Sequence, residues 1–408
     1  MRKQKGNRKI WEIIFIMIII SLSISPAFAT SEIDNRNFLL IICMAIGAMI
    51  FIINGEIKGQ PDYVIFFLIL IIFATQIVFH FNRMRWSSIL FTFMFFIYFL
   101  VGIKTALKAN LQYNELCKLF KSIIYAYVVV LLIQQFCVIL GLPIFNKIGE
   151  SENIWKLNAL SAEPSHTARY IGVLMYSYLN FKDRIQQKSI SFSESFNKNI
   201  LVWLSFLWIM LTTASGTALI VLCLIISRYL TKRNIIFGSI ALFVIFTVGI
   251  NSDISSLRRS TTFLSAVASG DSTNMIMADH SASIRIVPFL LCIERINPLT
   301  LQGWIGEGGG STSSWMSDMI PGVPDDFSGG AMACYTLEYG LLVGGLFLYF
   351  SLKCCYDKHH KLCTTGLWLM CIVLIGINSQ IAWFCMLMLY LDKYYYKTYE
   401  NKSILRLT

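Results

Sequence analysis

Residues 63–80 read YVIFFLILIIFATQIVFH, an uninterrupted run of eighteen residues without a formal charge. The hydrocarbon core of a bilayer requires about 20 mainly apolar residues in an α-helix. Comparable runs recur from residue 10 to residue 391. Because lipid offers no partners for backbone N–H and C=O groups, such runs predict helices, in which these bonds are internal. The predicted fold is therefore an all-α polytopic membrane protein.

The composition favours the same class of protein. Of the 408 residues, 56% are hydrophobic and 14% are charged, and the mean hydropathy is +0.63. Soluble domains carry about 25% charged residues, so the deficit indicates a membrane solvent. The apolar runs leave no room for a separate soluble module, and residues 1–408 are predicted to form a single membrane domain.

The apolar runs predict about twelve membrane spans. The breaks at 212–217 and 378–380 are interpreted as tight outer turns, because one helix of about 31 residues would reach ~46 Å, well beyond a ~30 Å core. Basic residues 1–9 and an Ala-x-Ala site at 27–29 imitate a signal peptide, but Glu12 and the length of the run favour an uncleaved first helix. The predicted spans are 10–30, 37–54, 62–80, 86–103, 119–141, 167–181, 200–214, 216–230, 234–251, 333–352, 363–378 and 380–392.

The distribution of Lys and Arg predicts the orientation of the chain. With the N-terminus inside, 24 of the 34 Lys and Arg residues fall in cytoplasmic segments and ten lie outside or at the outer start of a span. Short cytoplasmic loops are enriched in Lys and Arg. Both termini are therefore predicted to be cytoplasmic, with the chain in the inner membrane of a bacterium. The net charge of +11 follows from this pattern and does not indicate a nucleic-acid partner.

One outer loop is far longer than the others. Residues 252–332, between predicted spans nine and ten, hold most of the non-membrane sequence. We expect this large periplasmic loop to be partly helical, at 257–267 and 287–296, and irregular at 303–310. Loops of this length in a compact protein are usually functional. A passive cap over the outer surface is the alternative.

A first cluster of ionisable residues lies where predicted span six begins. Pro164 suits the first helical position, where its missing N–H costs nothing, and an exposed helix start favours an anion such as phosphate. Glu163, His166 and Arg169 follow at three-residue steps and share one side of the first turns. Ionisable residues at a membrane boundary are costly unless they are used or paired. The alternative is structural, with Glu163 as a helix cap and Arg169 extended towards the interface.

A second cluster lies in the large outer loop. His280 and Arg285 precede an apolar stretch, and Pro288 is expected to interrupt a helix there, which leaves Arg285 on a turn or kink. The planar guanidinium suits bidentate contact with phosphate. The glycines of 303–310 could bring backbone N–H groups to an anion, although most Gly-rich runs are only flexible loops.

Other polar groups have weaker support. Asp325, Asp326 and Glu338 precede or enter predicted span ten, where a carboxylate could act as a general base towards a hydroxyl. Solvation of the two aspartates is an equal alternative. The outer turn at 80–85 carries one His and two Arg, which either contact lipid headgroups or face an anionic substrate. The cysteines show no metal-ligand spacing, and no metal site is predicted.

The order of these motifs along the chain resembles that of a known family. The motifs are Glu-Pro-Ser at 163–165, a small polar break at 212–217, Ser-x-x-x-Arg at 281–285, Gly-x-x-Gly-x-Gly at 303–308 and Glu-Tyr-Gly-Leu-Leu-Val-Gly-Gly at 338–345. This order is similar to that of the Wzy-type O-antigen and capsular polysaccharide polymerases, within the O-antigen ligase-like superfamily. The resemblance covers about residues 119–392.

Membership of this family would imply inverting glycosyl transfer at the periplasmic face, without a metal or other cofactor. The donor would be a glycan on undecaprenyl diphosphate, and the acceptor a hydroxyl of an incoming lipid-linked repeat unit. The expected partners are this lipid-linked oligosaccharide, membrane lipid and a chain-length regulator protein, with no nucleic acid.

Carried over by position, the resemblance assigns roles to individual residues. Arg285 is the first choice for contact with the diphosphate and Arg169 the second. Glu163 is the first choice for a base or orienting carboxylate, with His166 and His280 as alternates. Further candidates for diphosphate binding in the same outer loop are Arg258, Arg259 and His280.

The stretch before predicted span ten departs from one branch of the superfamily. Ligases often carry a His there, whereas residues 325–331 read DDFSGGA. This favours a polymerase over an O-antigen ligase and leaves the identity of the base open. The rival from another class is a flippase or other transporter of lipid-linked oligosaccharide. It would show mid-membrane ionisable residues and internal repeats, and neither is evident in the sequence.

Overall fold

The structure is a computed structural model. It describes residues 2–25, 38–54, 60–82, 84–146, 154–186, 190–213, 215–230 and 280–404 (without 321, 324–326 and 328), together with isolated positions between 262 and 277. Predicted span nine, at 234–251, and the following residues to 261 lie outside the described residues.

Every regular element in the described part of the chain is helical. A 3₁₀ turn at Ser311–Ser314 and a π turn at Leu369–Val373 accompany the α-helices. The α-helices are α1 (Arg2–Ser23), α2 (Phe38–Asn54), α3 (Gln60–His80), α4 (Trp86–Ala109), α5 (Tyr113–Leu140), α6 (Pro164–Gln186), α7 (Phe192–Lys198), α8 (Ile200–Thr212), α9 (Gly216–Ser227), α10 (His280–Arg295), α11 (Leu301–Ile305), α12 (Met316–Met319), α13 (Met332–Cys355), α14 (Lys361–Trp368) and α15 (Gln380–Ile404).

The all-helical, membrane-embedded class is confirmed. Four helices in the described ranges are long and apolar enough to cross a membrane: Pro61–His80, Trp86–Ala109, Tyr113–Leu140 and Met332–Cys355. A helix overlaps each predicted span that the structure describes. The chain also leaves helical geometry at both predicted breaks, between α8 and α9 and between the π turn and α15. The number of spans and their sidedness stay predictions.

Side-chain contacts join one set of helix ends, which we call the charged end. Of the described residues, it comprises those near 8, 62, 104–121, 182–186, 190–199, 228, 353–361 and 392–395. Arg8 Nε donates to Ala109 O at 3.1 Å, and Tyr113 Oη donates to Tyr395 O at 2.9 Å. Arg228 bonds Asp183 at 2.7 Å. These are the segments that the Lys and Arg distribution assigns to the cytoplasm.

The opposite helix ends form a second group, which we call the loop end. Of the described residues, it comprises those near 24–25, 80–82, 84–92, 141–146, 154–167, 296–320, 329–332 and 374–380. Ser25 N donates to Leu160 O at 2.9 Å, and Arg85 N donates to Gly309 O at 2.8 Å. Gln380 Nε2 donates to three carbonyls at the end of α1, at 2.8 to 2.9 Å. The C-terminal carbonyls of that helix, which have no partner within it, are thereby satisfied.

The core between the two ends is aromatic. The indole of Trp383 on α15 stacks on Phe95 at 5.9 Å and meets Phe96 edge-on at 5.1 Å. Phe347 of α13 adds a tilted contact at 5.8 Å. The indole N–H donates to Ile377 O at 2.7 Å, so this buried polar group is satisfied. Helices α4, α13 and α15 are therefore packed around one ring system.

Candidate functional site

The loop that precedes α6 is held by two buried amide side chains. Gln134 Oε1 accepts from Ala159 N at 2.9 Å. Asn158 Nδ2 donates to Asn146 O at 2.7 Å and to Ser161 O at 2.6 Å. Neither Gln134 nor Asn158 is more than 2% exposed. Buried amides with satisfied donors fix a backbone path, and this path delivers the chain to the start of α6.

Helix α6 begins at Pro164, as predicted. Glu163 Oε2 lies 3.9 Å from His166 Nε2, and the side chains of Glu163 and His166 are 51% and 26% exposed. Ser165 Oγ donates to the same carboxylate oxygen at 3.0 Å. The first two members of the predicted cluster are therefore adjacent and accessible at the loop end.

Arg169 lies deeper than its sequence position suggested. It is only 1% exposed, among the largest fully buried side chains. Its guanidinium is close enough to Tyr170 and to Cys371 of the π turn to interact electrostatically with both. The alternative in which Arg169 extends to the interface is therefore wrong. Helix α6 directs the Arg169 side chain towards the π turn, so tertiary packing sets the direction of this side chain.

The helix that carries Arg285 is continuous. Helix α10 runs from His280 to Arg295 with Pro288 inside it. The expected interruption at Pro288, with Arg285 on a turn or kink, is therefore wrong. Proline removes one helical hydrogen bond and crowds the preceding turn. Apolar packing offsets this cost, because Val287 and Cys292 on α10 pack with Leu337 of α13. The Sγ of Cys334 also donates to Pro288 O at 3.7 Å.

Several predicted site residues cannot be placed. The backbones of His280 and Arg285 belong to α10, but their side chains lie outside the described residues. Arg258, Arg259, Asp325 and Asp326 lie wholly outside them. Their proposed roles stay predictions.

A contact path joins the two predicted clusters at the loop end. A Cβ placed on Gly376 would lie 1.6 Å from Gly330 O, so the chain before α13 crosses directly over the segment that follows the π turn. The π turn faces Arg169 through Cys371, while α10 packs on the first turns of α13. Helix α10, which carries Arg285, thus contacts the start of α13, and Arg169 of helix α6 faces the π turn. The crossing of the chain at Gly330 and Gly376 joins these two contacts.

The glycine run after α11 does not offer its N–H groups to a ligand. Gly306 N donates to Gln302 O at 2.7 Å, and Gly308 N donates to Glu338 O at 3.0 Å. Gly309 N donates to Gln76 Oε1 at 2.8 Å. These N–H groups already donate to acceptors within the protein, so the interpretation of this loop as an anion-binding backbone is wrong. The glycines serve close packing instead.

The glycine run docks on a break in α13. Gly340 has φ 89° and ψ 161°, outside the helical region, so the helix is kinked there. Just before the break, Glu338 is 6% exposed. Its Oε1 accepts a short hydrogen bond from Thr312 Oγ1 and a bond of 3.3 Å from Thr312 N. A buried carboxylate thus holds the 3₁₀ turn against a membrane helix.

The turn at 80–85 lies along the same loop. Arg85 Nη1 reaches Ser313 Oγ at 3.4 Å, and a Cβ on Gly308 would lie 3.4 Å from the His80 side chain. Arg83 lies outside the described residues. His80 and Arg85, two of the three basic residues noted in this turn, therefore contact the loop at 308–313.

Two features of this region escaped sequence reasoning. Tyr335 and Tyr339 pack in a tilted arrangement with ring centroids 4.4 Å apart, and the Tyr335 hydroxyl is buried without a hydrogen-bond partner among the described residues. Gln76, buried in the middle of the run 63–80, serves as the acceptor for Gly309 N. A polar amide inside an apolar span requires a partner, so the position of Gln76 in the sequence could have predicted a buried polar contact. Nothing in the sequence marked the two tyrosines.

The arrangement at the loop end can support acid–base chemistry on a polar substrate. The carboxylate of Glu163 and the imidazole of His166 are accessible at the start of α6, and the guanidinium of Arg169, one turn further along the helix, is buried. Among the residues that the structure describes, no group of His, Cys, Asp and Glu could hold a metal ion.

No protein-family model, curated protein or solved structure matches this chain.

Proposed function

We propose that the protein is a repeat-unit polymerase of the Wzy type, which transfers a growing glycan from undecaprenyl diphosphate to a lipid-linked repeat unit. The observation that carries the proposal is the start of α6. There the exposed Glu163–His166 pair stands above the fully buried Arg169. Ionisable groups inside membrane helices are costly, and they mark substrate or ion sites by default.

The proposed reaction assigns each group one task. Glu163, with His166 and His280 as alternates, accepts the proton of the acceptor hydroxyl. At the same time the oxygen of that hydroxyl attacks the anomeric carbon of the donor glycan. The bond between that carbon and the diphosphate oxygen breaks with inversion, and undecaprenyl diphosphate leaves with the electron pair. Arg285 and Arg169 stabilise the charge that develops on the diphosphate. Further cationic contacts would come from Arg258 and Arg259.

The proposal includes an orientation. The loop end would face the periplasm, where the large loop 252–332 covers the site, and both termini would be cytoplasmic. The grouping of the Lys-rich segments at the charged end supports this orientation. Twelve spans in the bacterial inner membrane, and a chain-length regulator as partner, complete the proposal.

Deletion of the gene in the source strain tests the function. Loss of long surface glycan chains, with single repeat units still attached to their anchor, is the expected result. Loss of all surface glycan, with polymer accumulating on undecaprenyl diphosphate, would identify a ligase instead. Wild-type glycan after deletion would exclude both activities.

A transporter of lipid-linked oligosaccharide is the second candidate, and one observation favours it. Transporters place their sites at interrupted membrane helices, and α13 is interrupted at Gly340 beside the buried Glu338. Accumulation of unpolymerised repeat units on the cytoplasmic leaflet after deletion would identify this activity.

A further inference from the structure

A cavity of about 450 Å³ opens at the charged end, far from the groups proposed for catalysis. It lies between α5, α6 and the α7–α8 corner. Four lysines line it, and no acidic residue does. The lining lysines are Lys118, Lys121, Lys182 and Lys198.

Two acidic residues close in sequence to these lysines are engaged elsewhere. Asp183 pairs with Arg228 at 2.7 Å, on the far side of α6. Glu115 bonds Gln112 N at 2.7 Å and caps α5. At the rim, Glu194 pairs with Lys198 at 2.8 Å. One of the four lysines is therefore compensated by a close carboxylate, and the cavity keeps an excess of positive charge.

Aromatic side chains complete the lining. Lys121 Nζ lies 5.3 Å from the ring centre of Tyr125, and Lys182 Nζ lies 5.7 Å from that of Tyr178. The Tyr178 hydroxyl is satisfied by Asn199 Oδ1 at 2.7 Å. The Tyr125 hydroxyl is buried and has no hydrogen-bond partner in the protein. An unsatisfied buried hydroxyl is costly, and here it belongs to a residue that lines the cationic cavity.

The position of the cavity favours a membrane lipid over a soluble anion as its ligand. Lys118 and Lys121 stand in the first turns of a helix long and apolar enough to cross a membrane. The apolar helix α8 also starts here, where Ile200 and Leu201 are 46% and 64% exposed. A basic pocket whose edge is apolar lies at the level of lipid headgroups.

We propose that this lysine cavity binds the phosphate headgroup of an anionic membrane phospholipid. The lysines supply the charge, and the exposed α8 start contacts the acyl chains. The ligand is not the substrate of the proposed polymerase, whose site lies at the opposite end of the bundle.

The test uses the purified full chain in detergent, titrated with cardiolipin, with bound lipid counted by native mass spectrometry. The triple variant K118Q/K121Q/K182Q is expected to lose cardiolipin affinity by at least about tenfold, since each lysine near a lipid surface contributes on the order of a fivefold gain. The triple arginine variant K118R/K121R/K182R is expected to retain it.

The matched control removes the same charge elsewhere at the charged end. The variant K353Q/K358Q/K361Q changes exposed lysines that do not line the cavity, and its affinity is expected to stay within about twofold of the wild type. Equal losses in both triple variants would overturn the proposal, because the effect would then be bulk charge. Full competition by millimolar inorganic phosphate would also overturn it, in favour of a soluble ligand. If K118Q/K121Q/K182Q does not fold, the single variants K118Q and K182Q must each lower affinity by at least about threefold.

Discussion

Gly306 and Gly340 meet backbone to backbone, and neither position has room for a side chain. A Cβ on Gly306 would lie 2.2 Å from Glu338 O and 2.6 Å from Gly340 N. A Cβ on Gly340 would lie 2.0 Å from Trp304 O. Both glycines also have positive φ, 87° and 89°. Two glycines 34 positions apart in the sequence thus seat the glycine run on the kinked helix.

Alanine at Gly340 is expected to destabilise the protein by about 3 kcal/mol or more, because steric overlap adds to the cost of a left-handed backbone. Thermal unfolding in detergent measures the effect. Gly345 lies in the same helix with open space around it, so Gly345→Ala is expected to be neutral or slightly stabilising. Similar melting temperatures for G340A and G345A would contradict the packing described here.

Removal of the Thr312 hydroxyl is expected to loosen the 3₁₀ turn. Thr312→Val leaves a buried Glu338 carboxylate oxygen without its side-chain donor and should cost about 1–3 kcal/mol. Limited proteolysis of the segment after α11 reports the change. Ser314→Ala is the control, since Ser314 is exposed and its hydroxyl donates to Ser311 O within the same turn. Equal protease resistance of T312V and the wild type would show that this bond does not hold the loop.

Glu163→Gln is expected to lower the rate of glycan polymerisation by about 10²–10⁴, the usual contribution of a general base. The matched control is Ser165→Ala, which removes the hydroxyl that donates to the Glu163 carboxylate and should change the rate by less than about tenfold. Both can be scored by chain-length analysis of surface glycan at equal protein levels. If E163Q makes full-length chains, the base is another residue, with His166 and His280 next to be tested.

Arg285→Ala is expected to reduce chain extension by about 10²–10³, as for the loss of one group that stabilises developing charge. Arg285→Lys keeps the charge but loses the bidentate fork, so an intermediate defect is expected. Arg295→Gln, at the other end of α10, removes an exposed guanidinium paired with Glu307 and should cost little. Normal chains from R285A would remove this residue from the mechanism.

His360 is expected to make stability depend on pH at the charged end. Burial, with the nearby Arg228, lowers the pKa of His360 to about 4, below the value of about 6.5 for a free histidine. The unfolded chain therefore binds a proton that the folded chain does not, and stability is lost as pH falls from about 6.5 towards 4. Melting temperatures between pH 7.5 and 5 measure this loss.

His360→Gln should reduce that part of the pH dependence. His359→Gln, a change at the exposed neighbouring residue, should leave it close to wild type. An unchanged slope in H360Q would assign the pH dependence to other groups.

Hydrophobic run length predicted a helix in each predicted span that the structure describes. Residues 63–80 and 119–141 lie in helices that the structure also finds long and apolar enough to cross a membrane. Pro164 marked the first residue of α6 correctly. These features depend on local properties, namely apolar length, backbone hydrogen bonding in lipid and the fixed φ of proline. The adjacency of Glu163 and His166 followed from helical spacing alone.

Tertiary contacts decided what local patterns could not. Pro288 was expected to interrupt a helix, but packing of α10 on α13 keeps the helix continuous. The glycine run suggested an anion site, yet its N–H groups bond Glu338 and Gln76, from other parts of the chain. The sequence left Arg169 open between a functional role and extension to the interface, and the structure buries it beside the π turn. Sequence therefore determined where the membrane helices lie, because run length and backbone bonding are local. The direction and partners of each polar group were set by the tertiary structure, since they depend on residues distant in sequence.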